Sequence, residues 1–300
     1  MLRARAALLT LLFLLTTGAY GVEVVLGNKW ARVNAKAPRI AVVVRGLAYA
    51  KNSKPESTAA FILNNFTHNT MRRALPSIIA LTEHAASKCG YTSDIFIITY
   101  SDIPSSVRGE ARRGLPSGVL DVLRDVAAII LLIQSSEAFG QFSLLLAGLR
   151  ELNHLLLNYD LILVTRDDFV YAPLTWDILA TRYNRSAFNI AHGDCRHHDW
   201  DGLHVLPPAA LADFTSALKT TTLVDHKQHA HFLRVPGWQR HLWFEESFGQ
   251  PDRCTTPLGF IDRGLGNPAG PSSPRLNRCC ENATEAVRKV GPVRSCPQLA

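Results

Sequence analysis

Tyr159-Asp160-Leu161-Ile162-Leu163-Val164-Thr165-Arg166-Asp167-Asp168-Phe169 passes from an unbroken aliphatic run to three consecutive charges. The run is too short for a stable helix and too apolar for a half-exposed strand, so it predicts a strand buried on both faces. Working outward, three similar runs precede it, at 40–44, 95–100 and 126–133. Helical spacing lies between them. One stretch extends from about Ser57 to Lys88, is interrupted at Pro76 and stops at Gly90. In another, Phe139, Phe142, Leu146, Leu149 and Leu156 recur behind the capping candidates Ser135 and Ser136. Buried strands alternating with helices predict an α/β fold, a doubly wound, mostly parallel sheet flanked by helices. Further on, 188–190 and 203–206 read as strands, Pro207-Pro208 opens a helix to about Leu218, and 222–248 reads as helical. From Pro251 onward, Gly and Pro clusters predict an irregular, Cys-containing C-terminal tail.

Of 300 residues, 47% are apolar and 19% charged, which excludes a disordered or collagen-like chain. The one long apolar run, Ala6 to Leu15, follows Arg3 and Arg5 and leads into Thr16-Thr17-Gly18-Ala19-Tyr20. That arrangement predicts a signal peptide or an uncleaved signal anchor over 1–21, and excludes a polytopic membrane protein. The expected organisation is then a stem or linker at 22–38, a catalytic-size domain at 39–252 and a tail at 253–300. The expected location is the Golgi or ER lumen of the secretory pathway, or outside the cell, with membrane contact only through an uncut N-terminus. Cys89, Cys195, Cys254, Cys279, Cys280 and Cys296 are even in number and suit disulfides in such a compartment, with the pairing open. No Cys-x-x-Cys pair suggests zinc. Asn65, Asn184 and Asn282 head glycosylation sequons.

The net charge of +7 sits at the ends, +5 over residues 1–39 and +4 over 253–300, leaving −2 for the body. With no concentrated basic face, nucleic acid is excluded as the default partner.

Asp167 and Asp168 follow the fourth buried run. In an open α/β sheet, ligands bind outside the carboxyl ends of the strands. Two adjacent carboxylates raise each other's proton affinity unless they share a cation, which a metal bound to phosphate oxygens would supply. A solvated pair, or one Asp paired to Arg166, is the alternative. The densest polar stretch, His192-Gly193-Asp194-Cys195-Arg196-His197-His198-Asp199-Trp200-Asp201-Gly202-Leu203-His204, reads either as a metal site or as a polar loop. His226 and His229 share one helical face, and His231 lies off it. Neither a phosphate loop nor a nucleophile elbow is present.

Three stretches carry a family resemblance. Arg39-Ile40-Ala41-Val42-Val43-Val44-Arg45-Gly46 resembles the first strand and nucleotide-side loop of a Golgi-type glycosyltransferase domain with the GT-A fold. Asp94-Ile95-Phe96-Ile97-Ile98-Thr99-Tyr100 resembles its second strand, and 159–169 resembles the strand leading to its Asp-x-Asp metal motif. The resemblance spans residues 39 to about 248 and implies a GT-A-like, Rossmann-like sheet. It implies a nucleotide-sugar donor, a hydroxyl acceptor on a glycan, protein or lipid, and Mn²⁺ or Mg²⁺ bound by Asp168 with Asp167 in support. Arg45 and Tyr100 would line the nucleotide side. The sequence departs from the motif at Arg166, which stands where the first Asp is expected. An arginine there either pairs with diphosphate directly or weakens metal binding. The base that takes the acceptor proton would come from Asp199, Asp201 or Glu246, with Glu245 beside the last, and Trp238 and Trp243 offer faces for a sugar ring. Two other functions remain open: a non-catalytic secreted protein that keeps the fold, and a metal-dependent hydrolase built on 192–204.

Overall fold

The computed structural model describes residues 21–31, 37–46, 71–102, 117–134, 141–167, 169–171, 176, 179, 182–190, 203–224, 235–242 and 259–261. In chain order the elements are β1 (Val22–Leu26), β2 (Arg39–Arg45), α1 (Met71–Cys89), β3 (Thr92–Tyr100), α2 (Ser117–Val126) and β4 (Ile129–Ile133). They continue with α3 (Gln141–Leu156), β5 (Leu161–Arg166), β6 (Phe169–Tyr171), β7 (Ala187–Ile190), β8 (Leu203–Leu206) and α4 (Leu211–Val224). The last two are β9 (Gln239–Leu242) and β10 (Gly259–Ile261). Eight strands form one mixed sheet in the order β1-β4-β3-β2-β5-β8-β7-β9. Its centre, β4-β3-β2-β5, is parallel. β1 runs antiparallel to β4, and β8 runs antiparallel to both β5 and β7. β6 and β10 pair separately, also antiparallel.

The central strands carry buried apolar residues on both faces because each face meets a layer of helix. Successive β2 residues turn to opposite sides. Val42 and Val44 join Leu75, Ile78 and Leu81 of α1 and Leu123 of α2 in one core. Ala41 and Val43 join Phe142, Leu145 and Leu149 of α3 and Phe214 and Leu218 of α4 in the other. The result is an α/β fold with a mostly parallel sheet at its centre, flanked by helices.

At the amino ends of the strands, one buried carboxylate gathers three segments. Asp94, 1% exposed, accepts from the Ala31 N–H at 2.6 Å, the Tyr159 hydroxyl at 2.7 Å and Arg39 Nη2 at 3.1 Å. The Arg39 guanidinium also lies over the Tyr159 ring, 4.3 Å from its centroid. A charge taken out of water needs such partners.

The elements depart from the sequence-based expectations in several places. Val22–Leu26, expected within a stem, is a strand of the sheet. α1 runs through Pro76 instead of breaking there. α2 had no expectation, and it supplies Val119 and Leu123 to the core. Within 222–248, expected as helix, α4 ends at Val224 and β9 is a strand that pairs parallel with β7. β10 is a strand in the tail expected to be irregular. Cys89 is disulfide-bonded, as the cysteine usage suggested, and Trp176 Nε1–H donates to its sulfur at 3.4 Å. The other five cysteines, the expected N-terminal segment before residue 21, and the rest of the tail lie outside the described residues.

Candidate functional site

The carboxyl ends of β2, β3, β4 and β5 share one rim, and the strand order reverses between β2 and β5. From β2 the chain passes to β3 on one side, and it returns to β5 on the other. That crevice is where an open α/β sheet takes its ligand. Arg45 and Arg166 stand there in register on adjacent parallel strands, so both leave the same face of the sheet. Tyr100 ends β3 on that face too, since Phe96, Ile98 and Tyr100 line the core beneath α3. Three of the expected ligand-side residues are therefore together at one rim.

Their exposure differs. Arg45 is only 1% exposed, with its guanidinium over the Phe142 ring at 5.2 Å from the centroid, and Tyr100 is 5% exposed. Both form the floor of the rim. Arg166 is half-buried and borders solvent.

Asp167 is locked to the neighbouring strand. Its N–H donates to the Arg45 carbonyl at 2.9 Å, and its carboxylate lies against the α-carbon of Gly46. Gly46 has φ +145, and a β-carbon on it would collide with the Asp167 carboxylate. Only glycine accommodates both demands. Asp167 itself is 7% exposed, which makes it a positioning group more than an open ligand. Asp102, half-buried two residues beyond Tyr100, is a further acid at this rim that the sequence reading passed over. Its signal was the one used for Asp167, an acid just past a buried run.

The reversed strand β8 brings a second segment to the same place. β7 ends at Ile190 beside His204, and β8 starts at Leu203 beside Thr165. Ile190 and Leu203, the described residues on either side of 191–202, thus both stand at the rim that carries Arg166 and Asp167. Asp168, Asp199, Asp201, Glu246, Trp243, His226, His229 and His231 lie outside the described residues. His204, the last histidine of the polar cluster, is 1% exposed, with its ring 5.6 Å from Phe188 and 5.7 Å from Phe214. It is a core residue rather than part of a surface loop. Trp238 packs against the α3 and α4 core and donates its Nε1–H to Asp213 at 2.9 Å, which makes it a structural anchor.

Among the described residues, no three His, Cys, Asp or Glu side chains converge as metal ligands, and no helix is long and apolar enough to cross a membrane. The described charged set at the crevice is the enclosed Asp167 carboxylate, the half-buried Asp102 and the two guanidinium groups of Arg45 and Arg166. That set suits an anion better than a divalent cation, because guanidinium forks match phosphate oxygens and repel metal. Compared with models of protein families and with curated proteins, the chain matches none.

Proposed function

We propose that this chain is a glycosyltransferase of the secretory lumen, transferring a sugar from a nucleoside-diphosphate donor to a hydroxyl acceptor. One observation carries the reading: Arg45 and Arg166 stand side by side in register at the crevice where the strand order reverses, on the same face of the sheet as Tyr100. The parallel strand order and this crevice also support the Rossmann-like, GT-A-like form of the sheet that the motifs suggested.

During transfer, the bond from the anomeric carbon to the diphosphate oxygen breaks and a bond to the acceptor oxygen forms. Negative charge grows on the departing diphosphate. Arg166 offers it a fork of N–H donors, and Arg45, sealed beneath, adds positive potential in a low-dielectric floor. Asp167 holds the turn that presents both. A carboxylate of the 191–202 segment, Asp199 or Asp201, or else Glu246, takes the acceptor proton. Asp168 is the residue that would hold Mn²⁺ or Mg²⁺ on the diphosphate. The described groups do not by themselves favour a metal. The replacement of an expected acid by Arg166 equally suits a non-catalytic protein that binds the diphosphate without turnover.

The test is calorimetric titration of nucleoside diphosphates, with and without Mn²⁺, followed by a donor screen for turnover. Binding should weaken roughly 10- to 100-fold in Arg166→Ala, the loss expected for a charge-assisted hydrogen-bonded pair. Turnover should fall in Asp168→Asn. A folded protein that binds no nucleoside diphosphate under either condition overturns the proposal. Binding without turnover of any donor selects the non-catalytic form.

A further inference from the structure

Asn184-Arg185-Ser186 forms the turn that leads into β7, and all three residues are exposed. The backbone of this turn is fixed from within. Asn189, fully buried, accepts from the Asn184 N–H at 2.8 Å, and its side-chain amide donates to the Asn184 and Ala187 carbonyls at 2.8 Å each. Asn184 itself is exposed. Its Oδ1 accepts from the Ser186 N–H at 2.9 Å, an Asx turn made through the side-chain oxygen. The turn thus separates two asparagines five residues apart, one consumed by the fold and one presented outside it.

We propose that Asn184 is an N-glycosylation site and takes an oligosaccharide on Nδ2. Asn-x-Ser without proline at the middle position is the acceptor pattern, and exposure of the folded turn means a bulky glycan need not disturb the sheet. A second observation points to the compartment where such transfer occurs: Cys89 is disulfide-bonded, which is rare outside oxidising spaces. The co-reactant is an oligosaccharide carried on a lipid diphosphate. Nδ2 forms the bond to the anomeric carbon, the bond from that carbon to the diphosphate oxygen breaks, one amide proton is released, and the lipid diphosphate leaves. β7 runs from this turn toward the rim, so Asn184 stands at the opposite end of the sheet from Arg166. A glycan there leaves the crevice open.

The experiment expresses the full chain in cultured eukaryotic cells and maps glycopeptides by mass spectrometry before and after a peptide N-glycosidase. Glycan on Asn184 is expected, with conversion to aspartate on enzymatic release. It should be lost in Asn184→Gln and Ser186→Ala and kept in Ser186→Thr. Ser186→Ala retains the asparagine and its backbone contacts, so it tests the acceptor pattern without disturbing the turn. Unmodified Asn184 in the recovered chain, or modification that survives both Asn184→Gln and Ser186→Ala, overturns the proposal.

Discussion

Gly46 is the residue on which the rim's geometry turns. Its positive φ and the carboxylate pressed against its α-carbon leave no room for a side chain. Gly46→Ala should cost about 2 kcal/mol or more and displace Asp167 from the Arg45 backbone. Gly90→Ala is the control: φ there is +67, but nothing lies near a new β-carbon, so only the backbone penalty of about 1 kcal/mol is expected. Urea unfolding of both variants checks the difference, and equal losses would remove the steric account. Arg45, Tyr100 and Arg166 could be named from the sequence because each closes an aliphatic run, and closing a run puts a residue at a strand's carboxyl end. That Arg45 would be sealed beneath Phe142 was not legible. It depends on α3 folding back across the strand, which no local pattern records.

Among the elements, β3 depends most on partners distant in sequence. Its Asp94 receives Ala31, Arg39 and Tyr159, so Asp94→Ala should cost about 3 kcal/mol by stranding buried donors. A thermal melt indistinguishable from that of the parent would refute this. Burial holds the Tyr183 phenol above its ordinary range, to about 12, and raises Tyr171 as well. The unfolded phenol titrates near 10. Between pH 10 and 12 the unfolded chain therefore releases a proton that the folded chain keeps. Stability is unaffected below that window and falls as pH rises through it. Tyr183→Phe should flatten the decline, measured as the urea midpoint against pH. The sequence disclosed β2, β3, β4 and β5 by their apolar runs, and β7 and β8 despite Asn189 and His204, but not β1, β6, β9 or β10. Gln239-Arg240-His241-Leu242 has no apolar run, and pairing with β7 alone makes it a strand. Trp238 offered a sugar-stacking face on paper, whereas its bond to Asp213 makes it an anchor.

For the whole molecule, alternation of strand and helix was enough to predict the layered α/β form, since period and run length depend on which faces are buried. Strand order was not, because β1 and β8 both run against the central strands and nothing local distinguishes a reversed strand from a parallel one. The reversal of β8 matters most for the site, because it starts the strand at Leu203 beside Thr165, at the rim where β5 and β7 end. β1 matters for a different reason. It caps β4, whose five residues Ile129–Ile133 are all aliphatic and hydrogen-bond to it along their length. A chain trimmed to begin at Arg39 would bare that margin, a sticky ribbon open to the same margin of another copy. Such a protein should cluster in a concentration-dependent way under dynamic light scattering, while one beginning at Gly21 stays dispersed.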